Sequence, residues 1–376
     1  MTVADIDGRP LRTAVVGLGW AARSIWLTAG AVTPTSPWRR RWTPTRPRVA
    51  AVTRDAPDTP VLTAMHDVDP AEVDLAVVAV PNHLHCEIAS GLLRKGVPVF
   101  LEKPVCLTAA EAEQLAEAER DGGARLLAGS AARHRADVRA LLANADDVGT
   151  VRHIELSWVR SRGVPDAGGW FTRRHLSGGG ALVDLGWHLF DIAAPLLGSA
   201  EFTQVAGTVS GDFIARDTAR VSWRAEGAGQ DRESERAAGG VIDVEDTARA
   251  FLVTDNGVSL SLHASWASHE ERDITRIRVD GSAGSTTLRC TFGFSPNRLE
   301  HPELTRTDEG RTRAVTVPAE PVGTEYDRQL DELLAQLRGP AGPRRAIEEA
   351  RRTIDAIERI YSAARAAQER AEQRRP

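Results

Sequence analysis

Residues 15–22 read VVGLGWAA, and this stretch determines the fold of the first third of the chain. Gly17, Gly19 and Ala22 give the spacing G-x-G-x-x-A directly after an apolar run and at the start of a helical pattern, which is the context of the dinucleotide-binding fingerprint. In that fingerprint the first glycine permits a tight turn, the second lets the backbone approach a pyrophosphate, and the small third residue allows close helix packing. A glycine turn without a ligand is the alternative.

Four further apolar runs with helical patterns between them predict βαβ units and a parallel sheet. With the run before the fingerprint, the predicted strands are Thr13 to Gly17, Val49 to Thr53, Leu75 to Val80, Val97 to Leu101 and Arg125 to Ala128. We expect helices over His83 to Lys95 and over Thr108 to Asp121. The second helix opens on the capping-box pair Thr108 and Glu111 and closes at a Gly-Gly pair. These elements favour a Rossmann domain over residues 1–130 that binds a dinucleotide.

The end of the second predicted strand should contact the adenosine ribose, where an acidic residue would hold the 2′-hydroxyl of NAD. Thr53 and Arg54 stand there instead. A hydroxyl and a guanidinium suit a 2′-phosphate, so NADP is favoured as the cofactor. Asp55 lies one residue further and keeps NAD open.

The stretch from Pro34 to Pro47, PTSPWRRRWTPTRP, interrupts the first βαβ unit. Its four prolines predict a surface loop. Solvation accounts for the three consecutive arginines, Arg39, Arg40 and Arg41. Contact with a cofactor phosphate or with a neighbouring subunit is the alternative.

After about residue 130 the pattern changes to mostly consecutive strands, which predicts an α+β domain over residues 131–376 with a large, mostly antiparallel sheet. The predicted strands are Val151 to Val159, Thr203 to Val209, Thr247 to Thr254, Val258 to Trp266, Thr275 to Asp280 and Ser285 to Leu288. The predicted helices are Arg135 to Asn144, Gly180 to Leu197, and Glu325 to Gln373 with a break at Gly339 to Pro343. Residues 224–240 are charged and predict a loop.

Length and composition agree with two domains and exclude several classes of protein. A chain of 376 residues exceeds the size of most single cores. Its net charge of -5 gives no basic surface for nucleic acid. Cys86, Cys106 and Cys290 lack the spacing of a zinc site or a disulfide framework, so we expect buried thiols and no metal. The chain shows no signal peptide and no apolar run of about eighteen residues, which indicates a cytoplasmic protein without a membrane partner.

Lysine occurs only at Lys95 and Lys103, and every other basic residue is arginine; this bias suggests a high-GC bacterial gene. Lys95 lies in the last turn of a predicted helix, where any cation complements the dipole. Lys103 instead follows a buried parallel strand, at the carboxyl end where open α/β sheets bind their ligands. A compact ammonium at that edge makes Lys103 a candidate site residue.

The second candidate is the segment SGGGALVDLGWHLFDIAAPLLG, Ser177 to Gly198. On a helix, Asp184 and His188 are four residues apart and share a face, with Asp191 one turn further. An aspartate one turn before a histidine can orient the imidazole and stabilise its protonated form. A helix-terminal acid and a core histidine are the alternative, but the preceding glycine-rich turn favours a functional site.

Taken together, three segments resemble the Gfo/Idh/MocA oxidoreductases, the family of glucose-fructose oxidoreductase and inositol dehydrogenase. The resemblance is carried by VVGLGWAA, by PNHLHCEIASGLLRKGVPVFLEKPV and by GGGALVDLGWHLFD. It implies a Rossmann domain followed by a domain whose open sheet often mediates homodimers or homotetramers. It also implies hydride transfer between nicotinamide and a ring hydroxyl or ketone of a sugar, sugar nucleotide, amino sugar or cyclitol. Thr53 departs from the acidic residue found in many members, which puts NAD preference in doubt.

Carried over by position, Lys103 is the lysine of the family's E-K-P motif, Asp184 the helix acid and His188 the catalytic histidine. Oxidation of an alcohol requires a base near neutral pKa, and His188 fits with Asp184 orienting it. Lys103 would hydrogen-bond the reacting oxygen, or could itself be the base. The expected cofactor-binding residues are Gly17, Gly19, Trp20, Ala21, Ala22, Thr53, Arg54, Pro81, Asn82, His85, Glu102 and Lys103.

Candidate residues of the substrate cleft are Trp158, Arg160, Trp170, Arg173 and Arg133, with ordinary packing or solvation as the alternative for each. Two other functions stay open. One is a glycoside hydrolase of the same family that uses tightly held NAD for transient oxidation. The other is a non-catalytic nucleotide-binding sensor, against which the presence of Lys103, Asp184 and His188 argues. The sequence fixes neither the substrate, the reaction direction nor the oligomer size.

Overall fold

The computed structural model describes residues 11–17, 19–26, 38–42, 61–62, 68–165, 169–216, 242–338 and 345–374. The chain divides into two compact units. The first unit contains the residues up to Ser130 together with Tyr326–Arg351, and the second contains Ala131–Glu325 and the residues from Arg352 onward. The sequence analysis had assigned Tyr326–Arg351 to the second domain.

The first unit is built on a six-stranded sheet in the order β3-β2-β1-β4-β5-β6. All of its strand pairs are parallel. The strands are β1 Thr13–Val16, β2 Trp38–Trp42, β3 Val61–Leu62, β4 Leu75–Val78, β5 Val99–Leu101 and β6 Leu126–Ala128. This is the doubly wound order of dinucleotide-binding domains, in which the strand order reverses between β1 and β4. The predicted Rossmann fold is confirmed.

The helices of this sheet begin and end close to the predicted residues. They are α1 His85–Arg94, preceded by a single 3-10 turn, and α2 Ala109–Gly122. At the start of α2, Oγ1 of Thr108 accepts a 3.1 Å hydrogen bond from the backbone N–H of Glu111. At its end, Gly123 adopts the left-handed conformation with φ of 63°. The local capping signals therefore fixed both ends of this helix.

The structure corrects the prediction of a surface loop between Pro34 and Pro47, because Trp38–Trp42 forms strand β2 and pairs in parallel with β1. These five residues include no proline, so each of them keeps the backbone N–H that a sheet ladder requires. Other predictions for this region lie outside the described residues: the strand over Val49 to Thr53, and the ribose-contacting residues Thr53, Arg54 and Asp55.

The core of the first unit explains why the segment beginning at Tyr326 belongs to it. Trp26 is fully buried, and its ring lies edge-on to Phe100 at 4.7 Å and to Tyr326 at 6.2 Å between centroids. Leu333 is buried in the same cluster, and Leu330 packs against it. The apolar face of this late helix therefore covers the Rossmann core, although nothing local in the sequence indicates its partner.

The second unit is built on an eight-stranded sheet in the order β14-β13-β12-β11-β7-β10-β9-β8. Every pair is antiparallel except β7 and β10, so the predicted mostly antiparallel sheet is confirmed. The strands are β7 Val151–Val159, β8 Phe202–Ser210, β9 Thr247–Thr254, β10 Ser259–Ser265, β11 Ile274–Gly281, β12 Ser285–Cys290, β13 Glu303–Asp308 and β14 Arg311–Val315. Strands β13 and β14 were not predicted, because ELTRTD and RTRAV carry too few apolar residues to show alternation.

The remaining helices are α3 Ala136–Ala145, α4 Arg174–Ser177, α5 Trp187–Leu197, α6 Thr324–Arg338 and α7 Arg345–Gln373. The single helix predicted over Gly180 to Leu197 has two geometries, because Leu182–Gly186 forms a π-helical segment before α5 begins. The stretch from Arg174 to Leu197 is long and apolar enough to cross a membrane by length and composition, but most of its apolar 18-residue window is buried inside the protein. Core helices of globular domains have the same properties.

One face of the eight-stranded sheet is buried, and the other, which we call the open face, carries partly exposed side chains. On β7, Ile154 and Leu156 are buried, whereas the residues that alternate with them, His153, Glu155 and Ser157, are partly exposed. The open face combines polar residues with Phe251, which is 49% exposed and stacks on His153. It is defined by His153, Glu155, Ser157, Arg249, Phe251, Val253, Ser259, Ser261, His263, Arg276 and Arg278.

Candidate active site

Gly17 and Gly19, the two glycines of the first unit's fingerprint, have different surroundings. Gly17 has φ of +97°, and a Cβ added there would lie 2.4 Å from the carbonyl oxygen of Ala79, so only glycine fits between β1 and the end of β4. A Cβ added at Gly19 would meet no described atom within 4 Å. Ala22 is fully buried at the start of a helical segment, and Trp20 is 37% exposed. The backbone around Gly19 is therefore open for a phosphate to approach.

At the carboxyl end of β4, His85 connects two loops. Its Nδ1 lies 2.7 Å from the carbonyl oxygen of Pro104, and its Nε2 lies 2.9 Å from that of Val80. Burial lowers the pKa of His85 to about 4, so the ring is neutral at neutral pH. Pro81 and Asn82 follow Val80 directly, and Asn82 is 7% exposed. The neutral imidazole has one N–H, which donates to one of these two carbonyl oxygens, and the ring lies between the loop after β4 and the loop after β5.

Lys103 lies in the loop after β5, and the neighbouring side chain of Glu102 holds that loop by two hydrogen bonds. Oε1 of Glu102 accepts a 2.8 Å hydrogen bond from Nε1 of Trp26, and Oε2 accepts one of 3.2 Å from the backbone N–H of Lys103. Burial raises the pKa of the Glu102 carboxyl. A Cβ added at Gly129 would lie 3.2 Å from Oε2, so a larger residue there would press against the Glu102 carboxylate. Lys103 itself is partly exposed at the ligand-binding edge of the sheet.

In the second unit, Asp184 lies in the π-helical segment and His188 in the first turn of α5. A π-helix has i→i+5 hydrogen bonds, so the i, i+4 alignment assumed for an α-helix does not hold strictly here. Oδ2 of Asp184 accepts a 2.9 Å hydrogen bond from Nε1 of Trp266, a residue with no exposed surface. Asp184 is thus held by the residue that directly follows β10, a contact that the sequence did not predict.

His188 lies against Trp158, one of the predicted cleft residues. Their ring centroids are 5.6 Å apart at an interplanar angle of 50°. Trp158 is 5% exposed, contacts Phe292 edge-on at 5.2 Å, and has the guanidinium of Arg160 over its ring at 5.1 Å. Its Nε1 is buried without a hydrogen-bond partner among the described residues. Trp158 therefore supports the His188 ring by packing.

The other predicted cleft residues differ in what they contact. Nη2 of Arg133 lies 2.8 Å from Oδ1 of Asp191, so this arginine anchors α5. Arg173 is half-buried, and its Nε has no partner within the part of the chain that is described. Trp170 is partly exposed, and its ring lies 4.6 Å from that of Phe171. Arg173 and Trp170 thus offer a guanidinium N–H and an aromatic ring to a ligand, whereas the guanidinium of Arg133 is paired with Asp191.

Two residues that the sequence analysis did not identify lie at the glycine-rich turn before Asp184. A Cβ added at Gly180 would lie 1.8 Å from the carbonyl oxygen of Glu245, and one added at Gly179 would lie 2.0 Å from Oη of Tyr361. The turn is therefore glycine-rich because Glu245 and Tyr361 occupy the space of its side chains. Their separation from the turn in sequence leaves no local signal for either.

A doubly wound nucleotide-binding unit with an open glycine loop, followed by a sheet unit that carries an Asp–His helix segment, defines a nicotinamide-dependent oxidoreductase. Residues 11–130 match the family model for the NAD-binding Rossmann fold of the GFO/IDH/MocA oxidoreductase family. Residues 136–287 match that of the GFO/IDH/MocA C-terminal domain. The chain belongs to the Gfo/Idh/MocA family of oxidoreductases.

Similar proteins act on sugars. A putative UDP-kanosamine synthase oxidoreductase subunit from Amycolatopsis mediterranei is 51% identical over 369 residues, covering 96% of this chain and 98% of that protein. A D-glucoside 3-dehydrogenase from Escherichia coli is 28% identical over 232 residues, or 60% of this chain and 62% of that one. The fold matches the crystal structure of a 3-ketoreductase from Actinomadura kijaniata, solved with NADP and TDP-benzene, at a TM-score of 0.70 and 20% identity over 93% of this chain and 98% of that one.

Proposed function

We propose that this protein transfers a hydride between a nicotinamide cofactor and a ring hydroxyl or ketone of a nucleotide-linked sugar. The observation that carries the proposal is the placement of Lys103, a partly exposed ammonium and one of two lysines in a chain rich in arginine, at the carboxyl end of the strands of a Rossmann sheet, where such sheets bind their ligands. The sugar-nucleotide substrate is supported by the 51% identity over nearly the whole chain to the putative UDP-kanosamine synthase subunit.

The described residues fit a dinucleotide. The backbone around Gly19 and the helical N-terminus at Trp20, Ala21 and Ala22 would hold the pyrophosphate through N–H donors. Pro81 and Asn82, at the end of β4, would lie against the nicotinamide side. When bound, the nicotinamide accepts the hydride in alcohol oxidation or donates it in ketone reduction. NADP is favoured by the types of residue at positions 53 and 54.

In the proposed chemistry, this chain's own residues handle the proton and the developing charge. As the carbinol carbon of the sugar loses its hydride, the hydroxyl proton passes to the imidazole of His188, and in reduction it returns. Lys103 donates a hydrogen bond to the reacting oxygen, whose negative charge grows as the proton leaves. An ammonium suits this position because it is more compact than a guanidinium. Asp184 stabilises the imidazolium of His188.

The nucleotide part of the substrate needs cationic and aromatic partners, and the second unit offers both. Arg173 keeps a buried Nε without a partner in the described segments, and a diphosphate oxygen would satisfy it. Trp170 offers an aromatic face to a base. Trp158 and Arg160 would border the sugar next to His188.

The protein is further proposed to act in the cytoplasm as a homodimer or homotetramer that assembles through the open face. A partly exposed sheet face that includes an exposed phenylalanine has the mixed polar and aromatic character of protein interfaces.

The test is a substrate panel on purified protein. Native mass spectrometry first identifies retained NADP or NAD, and nucleotide-linked hexoses, free sugars, cyclitols and glycosides are then each incubated with both cofactors. We expect a change in nicotinamide absorbance and a keto sugar by mass spectrometry only with nucleotide-linked sugars. Glycoside cleavage without net cofactor turnover would support a glycoside hydrolase instead. Cofactor binding without turnover on any substrate would support a sensor.

A further inference from the structure

Glu245 is a carboxyl group inside the second unit that the proposed chemistry does not use. Its side chain is only 3% exposed. It contacts the start of the helical segment that carries Asp184 and His188. Buried carboxylates are costly unless hydrogen-bond donors surround them, so its partners indicate its role.

The donors around Glu245 come first from the backbone of that segment. Both carboxylate oxygens accept from the N–H of Gly180, at 3.1 and 3.2 Å, and Oε1 also accepts from the N–H of Leu182 at 3.0 Å. The carbonyl oxygen of Glu245 accepts from the N–H of Ala181 at 3.1 Å. Three successive N–H groups at a helix start, which have no partner within the helix, are thereby satisfied by one residue. A negative charge is also favoured at this end of the helix dipole.

Two side chains complete the surroundings of the carboxylate. Oη of Tyr361 donates a 2.8 Å hydrogen bond to Oε1, and Nη2 of Arg174 lies 3.5 Å from Oε2. Burial raises the pKa of Glu245, and these hydrogen bonds and the arginine oppose the rise. Since each of these partners is a hydrogen-bond donor or a cation, the arrangement suits the ionised carboxylate.

A second connection to Asp184 starts at the next residue. The carbonyl oxygen of Asp246 accepts a 2.8 Å hydrogen bond from the N–H of Trp266, whose indole Nε1 donates to Asp184. Asp246 itself has no exposed surface. The dipeptide Glu245–Asp246 therefore contacts the backbone just before Asp184 and also holds the tryptophan that binds the Asp184 side chain.

We propose that Glu245 is a positioning residue that fixes Asp184 and His188 for catalysis, and that Tyr361 supports it. This inference rests on the proposed roles of Asp184 and His188. Glu245 is too deeply buried to touch substrate itself. Loss of its charge would weaken the hydrogen bonds from the N–H groups of Gly180 and Leu182 and let Asp184 shift, and an ångström of displacement in a catalytic group can cost about 100-fold in rate.

The test compares Glu245→Gln with Glu119→Gln. Glu119 is also a buried glutamate, accepting a backbone hydrogen bond from Leu126 in the first unit, so the second variant controls for the chemical change. We expect Glu245→Gln to lower kcat by about 10- to 100-fold while the KM for substrate and the Kd for cofactor stay within twofold. The acid limb of its pH profile should move to lower pH, because a displaced Asp184 stabilises the His188 imidazolium less. Glu119→Gln should match the wild type in each measurement.

Hydrogen–deuterium exchange supplies a readout that does not depend on activity. Amides in peptides covering residues 180–188 should exchange faster in Glu245→Gln than in the wild type. In Glu119→Gln their exchange rates should equal those of the wild type. Tyr361→Phe, which removes a single donor, should give smaller changes in the same direction and serves if Glu245→Gln does not fold. If Glu245→Gln and Tyr361→Phe both showed wild-type exchange rates and a wild-type kcat, the inference would be overturned. A wild-type protein without turnover on any substrate would instead overturn the proposed function, while the exchange result would still decide on the positioning.

Discussion

Nε1 of Trp266 donates a 2.9 Å hydrogen bond to Oδ2 of Asp184, a residue 82 positions earlier in the chain. This bond fixes one oxygen of the carboxylate from the sheet. Since Trp266 is fully buried, its ring cannot swing away, and the carboxylate has a defined orientation. The aspartate therefore depends on tertiary structure as well as on its helix.

Replacing Trp266 by phenylalanine tests the value of that bond. The substitution keeps an aromatic ring but removes the N–H that donates to Oδ2 of Asp184 and part of the buried ring volume. We expect the free energy of unfolding to fall by about 1.5–3 kcal/mol, as for lost hydrogen bonds to charged groups, and kcat to fall about tenfold. Denaturant titration and steady-state kinetics measure the two effects. An unchanged kcat would show that Asp184 does not need the indole.

Lys103→Arg should keep cofactor affinity and lose hydride transfer. A guanidinium preserves the charge but cannot place a single compact donor at the reacting oxygen, so we expect kcat to fall at least about 100-fold. Lys95→Arg is the matched control, because Lys95 lies at the end of α1 and donates to the carbonyl oxygen of Val68. It should behave as wild type. Wild-type turnover by Lys103→Arg would remove this lysine from the mechanism.

His85 predicts a pH dependence of stability. Its pKa is lowered by burial to about 4, below its ordinary value near 6.5, so the unfolded chain binds more protons than the native state between these two pH values. The stability that His85 contributes is complete above about pH 6.5 and is lost as the pH falls toward 4. This loss amounts to about 3 kcal/mol.

The measurement is the denaturant midpoint of wild type and of His85→Gln across that range. Glutamine does not titrate, so the difference in unfolding free energy between the two proteins should narrow as the solution becomes more acidic. His301→Gln is the control, since the His301 side chain is 74% exposed. A difference that stays constant with pH would contradict the buried, neutral imidazole. Above pH 7, His85→Gln should also raise the KM for cofactor, because the loops after β4 and β5 lose their connection.

Phe251 tests the assembly through the open face. Its side chain is 49% exposed at the middle of β9, and a lysine there would place a charge inside the proposed interface. We expect Phe251→Lys to reduce the molar mass measured by light scattering to that of a monomer. Val322→Lys, at an exposed residue outside the sheet, should leave the molar mass unchanged. A monomeric wild type would refute the proposed assembly directly.

The parts of the fold that follow from local signals were predictable. The glycine loop, the capping box at Thr108 and the alternation in β7 each identify an element from adjacent residues. The loop prediction over Trp38–Trp42 was wrong, because the prolines near this segment were given more weight than the segment itself. Strands β13 and β14 were missed because polar, partly exposed edge strands show little periodicity.

The sequence offered candidate site residues only within its own motifs. Lys103 and His188 were proposed from residue type and position and stay predictions, whereas the contacts of Glu245, Tyr361 and Trp266 were not foreseen. Tyr361 and Glu245 are 116 residues apart in sequence, and Glu245 is 65 residues from Gly180. Contacts of this range depend on how the sheet and the helices pack, and no single-sequence pattern encodes them.

The scarcity of lysine has a practical consequence for studying this protein. Apart from the terminal amine, the only amines that an acylating reagent can modify are those of Lys95 and Lys103. No arginine lies between them, but cleavage after Glu102 places the two lysines in different proteolytic fragments. Mass spectrometry can therefore follow the labelling of each amine separately. Added dinucleotide should slow acylation at Lys103 and not at Lys95. The size of this difference would report how much of the protein holds nucleotide, without any engineered probe.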